Sequence, residues 1–140
     1  MTDRPVYVTD THSLLWYLHY PKRLGRAAAA AFEQVASDEA DLIVPVIVIA
    51  EIVYILQAGK VDADFDEILA DLQSNPNVAI VPLTLERVLD LHKLTGVPEM
   101  HDRMIAAEAQ AFNAILITRD EKIQESEVVT TVWEEPSHPG

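Results

Sequence analysis

Short β-branched runs alternate along the chain with longer stretches whose apolar residues recur at helical spacing. Pro5 to Thr9 predicts a buried strand. Thr11 to Tyr20 places Leu14, Leu15 and Leu18 on one face of a helix that Pro21 closes. Arg26 to Ser37 carries five consecutive alanines and Phe32, a strong helix-forming composition. Asp41 to Val44 predicts a second strand, and Pro45 divides it from the apolar run that follows. Proline suits a first helical turn, so a helix is expected from Pro45 to Gly59, although Val46 to Ile49 alone also fits a strand. Asp64 to Ser74 is amphipathic through Phe65, Ile68, Leu69 and Leu72, and Val78 to Leu83 reads as a third strand. Thr84 caps a helix running to Leu94, with Glu86 and Arg87 in its first turn. Met100 to Asn113 is helical, with Ile105, Ala109 and Phe112 on one face. Ala114 to Thr118 and Val128 to Trp133 complete the strands, and residues 134–140 form a frayed tail.

Strands alternating with helices indicate one α/β domain over residues 1–140, cored at about 5–133, with a parallel sheet covered by helices on both faces. Composition agrees: 49% of the 140 residues are apolar and only 24% charged, which is globular rather than disordered. The absence of cysteine excludes disulfides and thiolate metal sites and is compatible with a reducing cytosol. No apolar leader precedes the first aspartates, and the apolar run from Leu42 to Leu56 is interrupted by Pro45 and Glu51. That run is too short to span a bilayer, so a soluble protein without membrane attachment is expected. A formal net charge of −13 excludes a module that coats nucleic acid with a basic surface. It leaves open a nuclease whose acidic cleft is neutralised by divalent cations, and it favours basic protein partners.

Two strands end on an aspartate, Asp10 after "VYVT" and Asp120 after "LITR". Parallel strands bring both to one edge of the sheet, where open α/β folds bind their ligands. Either aspartate alone also fits a helix N-cap. Glu51 is the only charged residue between Leu42 and Gln57. A buried carboxylate must be paired with an arginine, protonated, metal-bound or set at a cavity rim. Helical side chains lean toward the N-terminus, which directs Glu51 toward the edge that holds Asp10. Asp102 opens the helix that feeds the strand ending near Asp120, so it returns to the same edge. Four acids there repel one another unless cations compensate, and oxygen-ligated Mg²⁺ or Mn²⁺ are the usual compensation. Such a site activates water and neutralises a phosphodiester. Asp10 is therefore read as a metal ligand in preference to a cap.

The same residues carry a family resemblance. "DTHSLLWYL" from Asp10, the lone Glu51, "HDRMIAAEA" from His101 and "LITRDEKI" from Leu116 resemble, in order, PIN-domain ribonucleases, and most of all the single-domain VapC-type toxins of toxin–antitoxin pairs. The likeness runs from about Val6 to Trp133. It implies a three-layer α/β/α fold with strand order 3-2-1-4-5, and Asp10, Glu51, Asp102 and Asp120 as the catalytic, Mg²⁺- or Mn²⁺-binding quartet. It further implies a cytoplasmic endoribonuclease acting on RNA, a homodimer, and a basic antitoxin whose tail blocks the cleft. Relatives often carry Ser or Thr a few residues before the glutamate, where this chain has Val46 and Val48, so its own helix offers Glu51 no supporting hydroxyl. The loop before Asp102 reads "PEMHD" instead of a Pro-Phe-Asp type sequence.

Neighbouring residues take lesser parts. His12 is expected to pack under the helix start and His101 to lie on the surface. Thr118 offers a supporting hydroxyl, and Glu121 is a possible partner of Asp120 in metal binding. Trp16 and Tyr17 suit the core and a dimer surface better than a base-stacking platform. A catalytically silent module of the same fold is the first alternative, and four intact acids count against it. The second is a phosphotransferase with Asp10 as nucleophile. It lacks the aspartate two positions on, where His12 stands, and no lysine follows the late strand at Thr118-Arg119-Asp120.

Overall fold

A computed structural model describes residues 4–134; the tail expected at 134–140 lies, beyond Glu134, outside the described residues. Five strands run β1 (Val6–Thr9), β2 (Asp41–Pro45), β3 (Val78–Val81), β4 (Ile115–Ile117) and β5 (Thr131–Val132). They form one sheet in the order β3-β2-β1-β4-β5, and every pairing is parallel. The order is the one implied by the resemblance. It puts β1 at the centre, with Val8 opposite Ile43 on one side and Leu116 on the other.

Seven α-helices cover the sheet as the outer layers of a three-layer α/β/α fold: α1 (Thr11–His19), α2 (Arg26–Ala36), α3 (Val46–Gln57), α4 (Phe65–Ser74), α5 (Leu85–Asp90), α6 (Met100–Ala111) and α7 (Glu121–Ser126). Helix α6 packs on β1 and β4, where Ala106, Ala107 and Ala109 allow close approach and Ile105 fills the gap. Leu14 and Leu15 of α1, Phe32 of α2 and Ile52 of α3 are fully buried with Val8 and Leu116. Each such side chain contributes about 1.5–3 kcal/mol by leaving water. No helix of the described residues is long and apolar enough to cross a membrane.

Several boundaries differ from the sequence expectation. Pro45 ends β2 and caps α3 instead of opening it, in extended backbone at φ −60° and ψ 140°. Its missing N–H therefore costs the helix nothing. The helix expected to run to Leu94 stops at Asp90 and continues only as a 3₁₀ turn, Leu91–Lys93. Helix α6 ends at Ala111, which leaves Phe112 exposed instead of on the buried face with Ile105 and Ala109. The strands at 78–83, 114–118 and 128–133 are all shorter than expected. Helix α7 was not anticipated, because one buried apolar residue, Ile123, gives no periodicity to read.

Helix α2 has no side-chain cap. Its first N–H groups instead donate to the carbonyls of Trp133 and Glu134, beyond β5. A Cβ on Gly25 would sit 2.2 Å from the Trp133 carbonyl oxygen, so only glycine admits this junction. Between α5 and α6, Arg87 Nε donates to Glu108 Oε1 at 2.6 Å, and Arg87 Nη1 lies 2.9 Å from Asp90 Oδ2. The Glu108 side chain is only 4% exposed, yet it is fully matched by this guanidinium.

Candidate metal centre at the carboxyl edge of the sheet

The backbone turns directly from β1 into α1 and from β4 toward α7, and an aspartate stands at each turn. Asp10 caps α1, its Oδ1 accepting from Ser13 N at 2.9 Å. Asp120 caps α7 in the same way, Oδ1 accepting from Ile123 N at 3.0 Å. From the sequence a metal ligand is preferred to a cap at Asp10; the structure shows that Asp10 is a cap, and Asp120 likewise. Each capping bond uses one carboxylate oxygen. Capping fixes both rotamers at the mouth of a helix whose dipole favours anionic oxygen.

Thr118 ties the two turns together. It is fully buried, its Oγ1 accepts from Asp120 N at 3.0 Å, and its side chain also hydrogen-bonds Asp10. This is the supporting hydroxyl expected from the sequence. Burial raises the Asp10 pKa, opposed by hydrogen bonds from Ser13 and Thr118. Glu51, half-buried in the second turn of α3, accepts from Thr11 Oγ1 at 2.5 Å. The hydroxyl missing from its own helix is supplied by the first residue of α1. No arginine pairs with Glu51 within ion-pair distance among the described residues.

Asp102 stands in the first turn of α6 and feels all the others. Its pKa is pushed up to about 6 by burial first, then by the negative charges of Asp120, Glu99, Asp10 and Glu51. The four acids expected from the sequence therefore share one field. Asp102 and Asp120 also share the wall of a recess of about 460 Å³, together with Glu99, Glu121 and Lys122. Glu51 lies on the other side, in the lining of a larger cleft of about 940 Å³.

Glu99 is the residue that sequence reasoning missed. It caps α6 by accepting from His101 N and Asp102 N, and its Oε2 lies 3.2 Å from His101 Nδ1. Glutamate is an uncommon N-cap, so "PEMHD" gave little sign of it. His101 lines the larger cleft and is partly exposed, as expected. His12 does not pack under the helix start: it is exposed, with its ring 5.9 Å from that of Trp16. Tyr17 stacks on Phe32 at 4.4 Å in the core, whereas half-buried Trp16 lines the larger cleft. Glu121 is exposed on the recess wall.

All the donors here are carboxylate oxygens, which suit hard cations such as Mg²⁺ or Mn²⁺. Among the described residues no three acidic or imidazole groups close into a metal cage. An open rim is the form in which Mg²⁺ is held, by one or two carboxylates together with water and substrate phosphate. Among the described residues, no ion pair within 4.0 Å involves Asp10, Glu51, Asp102 or Asp120. The donor set fits a divalent cation.

A family model described as PIN domain matches residues 7–128. Among solved structures, the chain is similar to VapBC2 from Rickettsia felis bound to a DNA fragment from its promoter, at 17% identity and TM-score 0.67, covering 92% of this chain and 99% of that one. It is also similar to DNA-bound VapBC from Salmonella typhimurium, at 14% identity and TM-score 0.64, covering 91% and 97%. FitAcB from Neisseria gonorrhoeae is similar at 17% identity and TM-score 0.62, covering 94% and 99%. Likeness at these identities is one of fold. No curated protein matches the sequence.

Proposed function

The chain belongs to the PIN-domain family, and we propose that within it the protein is a divalent-metal-dependent endoribonuclease, the toxin of a toxin–antitoxin pair. One observation carries the reading: Asp10 and Asp120, each capping the helix that follows its strand, stand at one edge of the sheet with Asp102, whose pKa is pushed up to about 6 by burial first and then by the charges of Asp120, Glu99, Asp10 and Glu51. Asp10, Asp102 and Asp120, gathered with no ion pair within 4.0 Å among the described residues, favour a cation.

Asp10, Asp102 and Asp120 would hold the ion directly or through one water, with Glu51 on the inner side. A bound divalent cation supplies charge neutralisation at the scissile phosphate and a more acidic water. The chain's own part is positioning. Capping bonds and Thr118 fix Asp10 and Asp120, and Thr11 fixes Glu51. Glu99 fixes the start of α6 and adds to the negative field at Asp102.

The similar structures include a toxin–antitoxin complex from Klebsiella pneumoniae beside the DNA-bound VapBC and FitAB. This supports a basic antitoxin as partner of this −13 chain, an arginine of its tail competing with the cation for the same carboxylates. The exposed Leu85, Val88 and Leu89 of α5 suit a homodimer contact.

Incubating the purified protein with RNA, with and without Mg²⁺ or Mn²⁺, tests the reading. Cleavage that needs the ion and is lost in Asp10→Asn supports it. Intact RNA under every condition favours the silent interaction module instead.

A further inference from the structure

The larger cleft differs in charge from the rest of the molecule. It is walled by α1, the turn after α1, α3 with Lys60 and Val61 beyond its end, and His101 of α6, and at about 940 Å³ it sits at the top of the ~300–1,000 Å³ range of ordinary ligand pockets. The chain carries −13, yet among the described residues the only carboxylate lining this cleft is Glu51. Arg23 and Lys60 line it as well. Arg23 has no carboxylate partner within 4.0 Å among the described residues. Its guanidinium lies 5.2 Å from the Tyr20 ring centre and 6.0 Å from that of Trp16. Tyr54, on α3, projects into the opening with 76% of its surface exposed.

Resting on the nuclease reading, we propose that this cleft seats the unpaired RNA strand on one side of the scissile phosphate. Bases would stack on the exposed Tyr54 and Tyr20, with backbone phosphates at Arg23 and Lys60. Aromatic faces interleaved with cations match a nucleic acid's alternation of flat apolar bases and anionic phosphates. The strand must be unpaired, because a duplex hides its base faces. Glu51 belongs to both the cleft and the acidic quartet, so a strand leaving the cleft reaches the cation-binding edge. A basic protein tail fits this cleft worse, since Arg23 and Lys60 repel it while the recess of Glu99, Asp102 and Asp120 attracts it.

Fluorescence anisotropy of an unstructured, labelled oligoribonucleotide, measured without divalent ions, reads occupancy separately from cleavage. Tyr54→Ala is expected to weaken binding about fivefold or more, from the loss of one stacking face. Arg23→Gln and Lys60→Gln should each weaken it and together flatten the dependence of log K on log salt by about 1.4, at ~0.7 per lost phosphate contact. Lys93→Gln, exposed and outside the cleft, serves as control and should leave binding within about 1.5-fold. Binding indifferent to all three cleft substitutions, or equally sensitive to Lys93→Gln, overturns the proposal. So does loss of affinity for a basic antitoxin peptide with RNA binding unchanged. If the cleft variants lose RNA affinity while the wild type cleaves nothing in Mn²⁺, the strand path stands and the catalytic reading fails.

Discussion

Among the described residues, acidic side chains are withdrawn from water fully at Glu108 and partly at the carboxyl edge of the sheet, and the two places resolve the cost in opposite ways. Between α5 and α6, Glu108 is nearly inaccessible but bonded by Arg87, which is in turn held by Asp90. The Arg87 pKa is raised, first by its hydrogen bond to Glu108. At the carboxyl edge of the sheet, burial first and then the charges of Asp120, Glu99, Asp10 and Glu51 push the Asp102 pKa up. The fold can match a buried acid with a guanidinium and does so where the acid is structural. At the edge the hydrogen bonds to the carboxylates among the described residues come from neutral donors: the backbone N–H groups of Ser13 and Ile123 for Asp10 and Asp120, and the hydroxyls of Thr11 for Glu51 and Thr118 for Asp10. Those donors orient the carboxylates without cancelling their charge. The first arrangement is closed, and the second is open to a cation.

The largest expected effect separates charge from structure at the open site. Asn caps a helix as well as Asp, so Asp10→Asn should keep the fold, with an ion-free melting temperature equal to or above that of wild type. RNA cleavage should fall on the order of 10³-fold, the scale of a lost electrostatic group in an active site. Unfolding of this variant would show that the cap alone explains Asp10. Next in size is the closed site. Arg87→Met strands Glu108 and should cost about 3 kcal/mol in urea denaturation, whereas the double change with Glu108→Leu should recover most of it. A single variant no less stable than wild type would break the contrast.

Smaller effects sharpen it. Mn²⁺ at about one hundred times its Kd should stabilise the protein by about 2.7 kcal/mol through mass action, and Asp102→Asn should remove most of that gain. Thr11→Val frees the Glu51 carboxylate and should lower cleavage about tenfold, the lower end for a group that orients a metal ligand. The mildest test is pH without metal. The folded pKa of Asp102 is raised from 3.8 to about 6, so between these values the folded chain holds a proton that the unfolded chain releases. Ion-free stability from this group should therefore fall as pH rises from 4 to 6 and level off above. Mn²⁺ should reverse the slope, because it requires the ionised form.

The architecture was legible because burial writes itself into periodicity. Val6 to Thr9, Asp41 to Val44 and the helices around Leu14, Phe32 and Ile105 all stand close to where the pattern puts them. Helix α7 was not legible, since six residues with only Ile123 buried make no repeat. Phe112 misled because the pattern continued one residue past the end of its helix. At the site, Asp10 and Asp120 could be found from the ends of strands, and Glu51 from its isolation among apolar neighbours. Glu99 and Thr11 act through contacts across turns and between helices, on residues as far apart as Thr11 and Glu51. Sequence spacing holds no trace of those. His12 shows the same limit: its neighbours suggested packing, and the direction of its side chain put it in solvent.

The central claim is that the carboxyl edge binds a divalent cation, and anomalous scattering from crystals grown in Mn²⁺ tests it directly. The expected result is a peak beside Asp10, Asp102 and Asp120, within direct or one-water distance of each, with Glu51 on its inner side. A map without a peak at this edge, at Mn²⁺ concentrations that support cleavage, would contradict the account.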